Sequence, residues 1–446
     1  MWIIFCGTGD FLTHAKYFFT LIAAGLIGLI LVAGCTSSPG TCPAAPAPAT
    51  ANVKNIASAI PQFDAYAEKT FQRSGVPGMA VAIVKNDTVV YLRTFGVKNT
   101  TTKEPVGNHT RFQLASISKS FTTATIASMV GDKELSWDDT IISRNPGFRL
   151  NDSYVTEHAT LRDLLTHRTG LPAYAGDDLQ YELGYNRSEI LGNLWQIKPV
   201  TGFRTAYNYT NAGVTVSAET AAKRAGMPWE TLVAERVIVP AGLANTSPRF
   251  VDFALSPDHA DTYALINGTM TAQPLINDDP NSPAGGVSST ITDMTRYARL
   301  QLNDGAIDGK QIIAAQALRE THSPQMIMRW TNTSITTYGM GWDVTSADGR
   351  MTVSHGGDLS SGVSTLITLY PEDKMAIVVL TNAFPEGHTL CSAVTNGWSD
   401  LYFTGKTERD WYGEMDAKIK AALKPDASIT GSDKQVTPAP VPSITT

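Results

Sequence analysis

Ser116-Ile117-Ser118-Lys119 is the stretch on which the reading of this chain turns. Residues three apart share one face of a helix, so the Lys119 amine reaches the Ser116 hydroxyl if the segment is helical. A serine hydroxyl is a weak nucleophile until a neighbouring base takes its proton, and a desolvated lysine is such a base. About one such spacing is expected by chance in a chain of this composition, so its meaning rests on the surroundings.

Outward from this stretch, the spacing predicts a helix from Ser116 to Val130. Upstream, Ile56 to Arg73 has helical spacing of apolar residues and ends near Gly75. Met79 to Val84 and Thr88 to Phe95 read as strands of a hairpin turning at Asn86-Asp87. The middle, about Leu161 to Gly242, reads as mainly helical, with Leu161 to Thr166, Asn211 to Ala225 and Trp229 to Val239. A further helix covers Ile291 to Asn303. Strands return at Thr336 to Val344, Arg350 to Ser354, Gly362 to Tyr370 and Met375 to Asn382, before helices near Leu390 to Phe403 and Asp410 to Leu423. The expected fold is α+β: one antiparallel sheet formed by N- and C-terminal segments, flanked by helices, with a largely helical inserted region.

The chain has 446 residues, 43% of them hydrophobic and 17% charged. That is ample for a large core. A net charge of −6 leaves no basic stripe, so nucleic acid is not an expected partner. No phosphate-cradling loop or spaced metal-ligand set stands out, and no cofactor or metal is expected. Tyr17 to Ala33 is almost wholly apolar, follows Lys16 and leads to Val32-Ala33-Gly34-Cys35. This reads as a secretory signal over 1–35. It resembles a lipoprotein signal, with Cys35 as the lipidated residue; an uncleaved membrane anchor is the alternative. Either places the body outside the cytosol, tied to the membrane. Residues 36–54 read as a flexible tether, 55–405 as the catalytic body, and 406–446 as a C-terminal helix and disordered tail. The remaining cysteines, Cys42 and Cys391, are not needed as a disulfide.

Two further elements carry chemistry. In Tyr209-Thr210-Asn211, a phenol whose pKa is lowered by nearby cations would relay protons, and an amide would orient substrate or Lys119. In His355-Gly356-Gly357, read as a glycine-rich turn at a strand end, the backbone would approach a ligand closely. The imidazole there would donate to substrate or shuttle a proton.

In this order and at these separations, the three elements resemble the serine β-lactamase and penicillin-binding superfamily. The branch is that of class C β-lactamases, D-amino-acid amidases, D-alanyl carboxypeptidases and β-lactamase-like esterases. Leu164-Leu165-Thr166-His167-Arg168-Thr169-Gly170-Leu171 and Ala284-Gly285-Gly286-Val287-Ser288-Ser289 fit it too, over about Ile56 to Phe403. The resemblance implies that Ser116 attacks a carbonyl carbon to form an acyl-enzyme. It implies that Lys119 and Tyr209 share the base and acid work, and that Asn211 steadies the site. It further implies an oxyanion hole from the N–H groups of Ser116 and Asp358, with Gly356 and Gly357 lining it.

One departure bears on substrate. His355-Gly356-Gly357 stands where the β-lactamases and penicillin-binding proteins carry Lys-Thr-Gly. An ordinary histidine is mostly neutral at pH 7 and anchors a carboxylate weakly. The leading expectation is therefore an exported serine hydrolase of amide or ester bonds, acting on a small-molecule or peptide-like substrate. A β-lactamase or D-alanyl-D-alanine carboxypeptidase is the alternative, and a non-turnover penicillin-binding sensor or envelope binding protein is another. The substrate pocket is expected to draw on Tyr174, Tyr181, Trp195 and Trp342.

Overall fold

Alternation within a single strand accounts for the layering. In β1 (Gly78–Lys85), Met79, Val81 and Ile83 join one apolar cluster, while Ala80, Ala82 and Val84 join a second. A strand buried on both faces must lie inside a sheet covered on both sides. The computed structural model describes residues 54–422. Expectations for 1–35 with Cys35, for the tether up to 53 with Cys42, and for the tail beyond 422 fall outside those residues. No helix among the described residues is long and apolar enough to cross a membrane.

The main sheet also contains β2 (Thr88–Gly96), β3 (Met326–Trp330), β4 (Ser334–Tyr338), β5 (Asp343–Ala347), β6 (Arg350–Leu359), β7 (Val363–Tyr370) and β8 (Met375–Thr381). Its order is β2-β1-β8-β7-β6-β5-β4-β3, with every pairing antiparallel. The N-terminal hairpin is joined to the C-terminal strands through β1 and β8, Met79 facing Thr381 and Lys85 facing Met375. Asn86 and Asp87 at its tip have φ of 48° and 63°, the left-handed pair that a two-residue hairpin of right-handed twist needs.

One face of the sheet is covered by α1 (Ile56–Ser74) and α5 (Glu386–Thr404), whose Phe63 and Trp398 meet edge to face at 5.2 Å. The other face carries α2 (Ser118–Gly131), α3 (Asn211–Ala225) and α4 (Ile291–Leu302). Ser118 to Met129 of α2 are all buried although six of them bear hydroxyls. These hydroxyls are satisfied within the helix or by the neighbouring 283–287 segment: Thr125 Oγ1 donates to Phe121 O at 2.8 Å, and Thr122 Oγ1 to Pro283 O at 2.7 Å.

The structure revises several boundaries. Thr336 to Val344 is two strands, because Gly339–Trp342 turns back between β4 and β5. His355-Gly356-Gly357 is not a turn but the interior of β6, paired residue by residue with Ile367, Leu366 and Thr365 of β7. A glycine pair suggests a break in the strand, yet here it lets two backbones approach. Strands at 262–266 and 269–273 form a hairpin whose first strand pairs in parallel with Ala383–Phe384. The final helix is Trp411–Ala422, and Cys391 is buried and unbridged.

The α1–α5 packing yields a stability prediction. Phe63→Ala removes a fully buried ring that meets both Trp398 and Tyr91 at 5.2 Å. A loss of about 3–5 kcal/mol is expected from a buried Phe→Ala change, read as a lower denaturant midpoint.

Candidate active site

The nucleophile turn is held from both sides. Arg111–Gln113 pairs with Ser288–Thr290, Gln113 facing Ser288, so the segments leading to Ser116 and following Ala284 lie side by side. Leu114 N–H donates to Val287 O at 2.8 Å, and Leu114 O accepts from Thr365 Oγ1 on β7 at 2.8 Å. Ala115 then takes φ of 48°, which costs an L-residue roughly 1–2 kcal/mol. This sharp turn puts half-buried Ser116 in a short helical turn, Ala115–Ile117, leading into α2, so the regular helix starts at Ser118 rather than at Ser116. Ser118 Oγ accepts from Val287 N–H at 3.0 Å and ties α2 to the glycine segment.

The structure brings Ser116, Lys119, Tyr209 and Asn211 together. Lys119 Nζ is fully buried and lies 2.9 Å from Ser116 Oγ, 2.7 Å from Asn211 Oδ1 and 2.8 Å from Ala284 O. The last two are acceptors only, so they take two N–H bonds whatever the charge on nitrogen. The remaining tetrahedral direction faces Ser116: an N–H in the ammonium, a lone pair in the amine. Burial pulls the Lys119 pKa down to about 7, against the opposing pull of Asp177 and Asp278.

Tyr209 Oη donates to Ser116 Oγ at 2.8 Å. Its pKa is not lowered as the sequence suggested: burial pushes it well above the ordinary tyrosine value. Lys119 lies 4.7 Å from the centroid of its ring, and desolvation of the phenolate is the leading cause of the shift. Tyr209 is therefore held as a proton donor.

His355 differs from expectation too. It is buried, its Nδ1 donates to Gly356 O at 2.6 Å, and its Nε2 accepts from Tyr338 Oη at 2.9 Å. Both ring nitrogens are engaged in protein contacts, and burial together with Lys119 lowers its pKa to about 3. It is a neutral wall rather than a substrate donor. Gly357 lies where β6 crosses the nucleophile turn: a Cβ would come within 2.2 Å of Leu114 O and 2.9 Å of Ser116 N. Gly356 has open space, with nothing nearer its Cβ position than 3.7 Å. Asp358 is at the exposed end of β6, with its carboxylate 2.8 Å from His388 Nδ1. That partner raises the His388 pKa.

Of the expected pocket residues, Tyr174 stands beside Tyr209 with ring centroids 5.6 Å apart. Tyr181 Oη instead bonds Asp278 behind the site at 2.7 Å, and Trp195 lies under Arg149. Trp342 is fully buried in the core. Sequence reasoning missed His167, whose Nδ1 accepts from Thr210 N–H at 3.1 Å and whose ring lies 4.7 Å from both Tyr209 and Tyr338. It also missed the buried acids Asp177 and Asp278. Asp177 Oδ2 accepts from Asn211 Nδ2 at 2.7 Å, and Asp278 Oδ1 accepts from Gln180 Nε2 at 2.6 Å. A buried carboxylate has no sequence signature of its own. His167 had one, within the Leu164–Leu171 segment.

The family model described as Beta-lactamase matches residues 63–398. The chain belongs to the beta-lactamase family. Beta-lactamase-like protein 2 of Dictyostelium discoideum is 26% identical over 335 residues, 73% of this chain and 58% of that protein. Penicillin-binding protein 4* of Bacillus subtilis is 26% identical over 318 residues, 66% of this chain and 65% of that protein. The chain thus spans less than two thirds of the length of both relatives. In fold it is similar to the octameric penicillin-binding protein homologue from Pyrococcus abyssi. The TM-score is 0.69 at 21% identity, over 81% of this chain and 80% of that one.

The two glycines of β6 give a paired test. Gly357→Ala should displace the nucleophile turn and abolish acylation of Ser116 while the protein remains folded by circular dichroism. Gly356→Ala should leave the turn in place and retain far more acylation, measured by intact mass with a reactive ester.

Proposed function

We propose that this protein is an exported serine hydrolase that cleaves an amide or ester bond through an acyl-enzyme on Ser116. The observation that carries the reading is the Lys119 amine, buried with two of its directions committed to acceptors and the third facing Ser116 Oγ. In the neutral amine that direction is a lone pair, so Lys119 takes the Ser116 proton as Oγ bonds to the substrate carbonyl carbon. The carbonyl electron pair moves onto oxygen, toward the N–H groups of Ser116 and Asp358. As the intermediate collapses, the bond to the leaving group breaks and Tyr209 Oη supplies its proton. The proton held by Lys119 then passes to the Tyr209 phenolate across the Ser116 Oγ position, which both Nζ and Oη face at hydrogen-bond distance. Water then attacks the acyl carbon by the same route reversed, freeing Ser116 and the acid product.

The substrate leaning follows from charge. With His355 neutral and both its nitrogens engaged, it offers no cation for a substrate carboxylate. Esters, amides and peptide-like substrates without a carboxylate at that position suit the wall better than β-lactams. Export and attachment to the membrane rest on the Tyr17–Ala33 run and Cys35 in the sequence.

Incubation with penicillins, D-alanyl peptides, D-amino amides and short esters, followed by intact mass spectrometry, tests the reading. Esters or amides should give a transient acyl adduct on Ser116, with penicillins acylating more slowly. Undiminished hydrolysis of every active substrate by Ser116→Ala would refute the mechanism. The pH profile provides a second test. Because the base must be neutral and burial lowers its pKa to about 7, kcat/KM should rise with pH through about 7 and then level off. Lys119→Arg, which stays cationic at all working pH, should remove that rise together with nearly all activity.

A further inference from the structure

Behind the reacting groups lies a carboxylate that the mechanism above does not use. Asp177 opens a short helix, Asp177–Tyr181, and is only 2% exposed. Its Oδ2 accepts from Asn211 Nδ2 at 2.7 Å, while its Oδ1 is buried with no hydrogen-bond partner among the described residues. Leaving a buried carboxylate oxygen unpaired is costly, so such a group stands out as something other than a stabilising contact.

Asn211 has two ends, and the Lys119 site tolerates only one of them. With Oδ1 toward Lys119, the amine has two acceptors and its third direction faces Ser116. Rotated by half a turn, Asn211 would present Nδ2 to Nζ, donor against donor, and Lys119 would lose one of the acceptors that fix its lone pair. Nothing within the amide itself selects the productive end. Asp177 does so when ionised, because a carboxylate accepts and cannot donate; burial raises its pKa to about 7, so the selection is complete above that pH and fades below it.

We propose that Asp177 is a positioning residue that fixes the Asn211 amide and thereby aims the Lys119 nitrogen at Ser116. The proposal rests on the reading of Lys119 as base. Asp177 acts through Asn211, not on substrate. Asp278 has a separate place: Gln180 Nε2 and Tyr181 Oη bond its carboxylate at 2.6 and 2.7 Å, and its Oδ2 occupies the space a side chain on Gly285 would need. It supports the Ala284-Gly285 segment that supplies the other acceptor for Lys119.

The charge of Asp177 also bears on pH dependence. The groups around Lys119 are Asp177 and Asp278, which favour its ammonium, the neutral His167 and His355, and the protonated Tyr209. Around Asp177 are Lys119, Asp278, Asp178, Tyr174, Tyr181 and Tyr209. Burial raises the Asp177 pKa to about 7, so its charge supports the ammonium over the upper part of the limb and its own protonation steepens the lower part; removing it should leave a shallower acid limb of kcat/KM displaced to lower pH.

Two variants of the full-length protein test this, with a short ester as substrate. Asp177→Asn keeps the shape but can donate, so both ends of Asn211 become acceptable. Activity should fall by on the order of 10–100-fold, as for carboxylates that orient metal ligands, with the loss in kcat rather than KM. Its acid limb should shift below that of the wild type. The exchange variant, Asn211→Asp combined with Asp177→Asn, restores the pattern with carriers reversed: the carboxylate now at position 211 accepts from Lys119, and the amide now at position 177 donates to that carboxylate. It should recover activity at least tenfold over Asn211→Asp alone, with an acid limb above that of the wild type because a carboxylate now touches Lys119. Wild-type kcat and an unmoved limb in Asp177→Asn would overturn the proposal. So would a folded exchange variant no more active than Asn211→Asp. If Ser116→Ala retained activity, the acyl-enzyme reading itself would fail, a result separate from either of these.

Discussion

Desolvation of the Lys119 amine is the constraint from which the site follows. A lysine in water is an ammonium at neutral pH and no base; taken out of water, it loses the hydration that favours its charge. Burial alone would leave a nitrogen pointing anywhere. Asn211 Oδ1 and Ala284 O hold two of its directions, and the geometry of nitrogen assigns the third to Ser116. Tyr209 experiences the same burial with the opposite consequence, because its charged form is the deprotonated one. In the proposed mechanism, one dry environment thus makes Lys119 the base and Tyr209 the acid of an acyl transfer.

The fold exists around that arrangement at some local cost. Ala115 adopts a left-handed backbone next to the nucleophile, and β6 passes so close that only glycine fits at position 357. Both are tolerated because β7 and the 284–288 segment clamp the turn through Leu114. Chain ends distant in sequence meet in the sheet, β1 beside β8, so the site is assembled from segments on both sides of the helical insertion.

Much of this was legible in the sequence, and the exceptions share a cause. The nearness of Ser116 and Lys119 could be read from helix spacing, that of Tyr209 and Asn211 to them only from the family resemblance, and the two-ended sheet because its strands are long apolar runs. The glycines of β6 look like a turn in the sequence, since composition reports backbone freedom but not whether a neighbouring chain uses it. The neutral role of His355 and the raised pKa of Tyr209 depend first on burial, by segments that lie far away in sequence, and His355 also on its hydrogen bond from Tyr338. Asp177 and Asp278 were invisible for the same reason: in a sequence, an acid that orients an amide looks like an acid on a surface.

The most direct measurement is the protonation state of Lys119 itself, by 13C NMR titration of lysine side-chain carbons, with Lys119→Arg used to assign the resonance. This account predicts a lysine that titrates near pH 7 in the wild type and is missing from the variant. A Lys119 that titrates near the ordinary lysine value of about 10.4 would contradict it, because the amine would then be charged whenever the enzyme is expected to act.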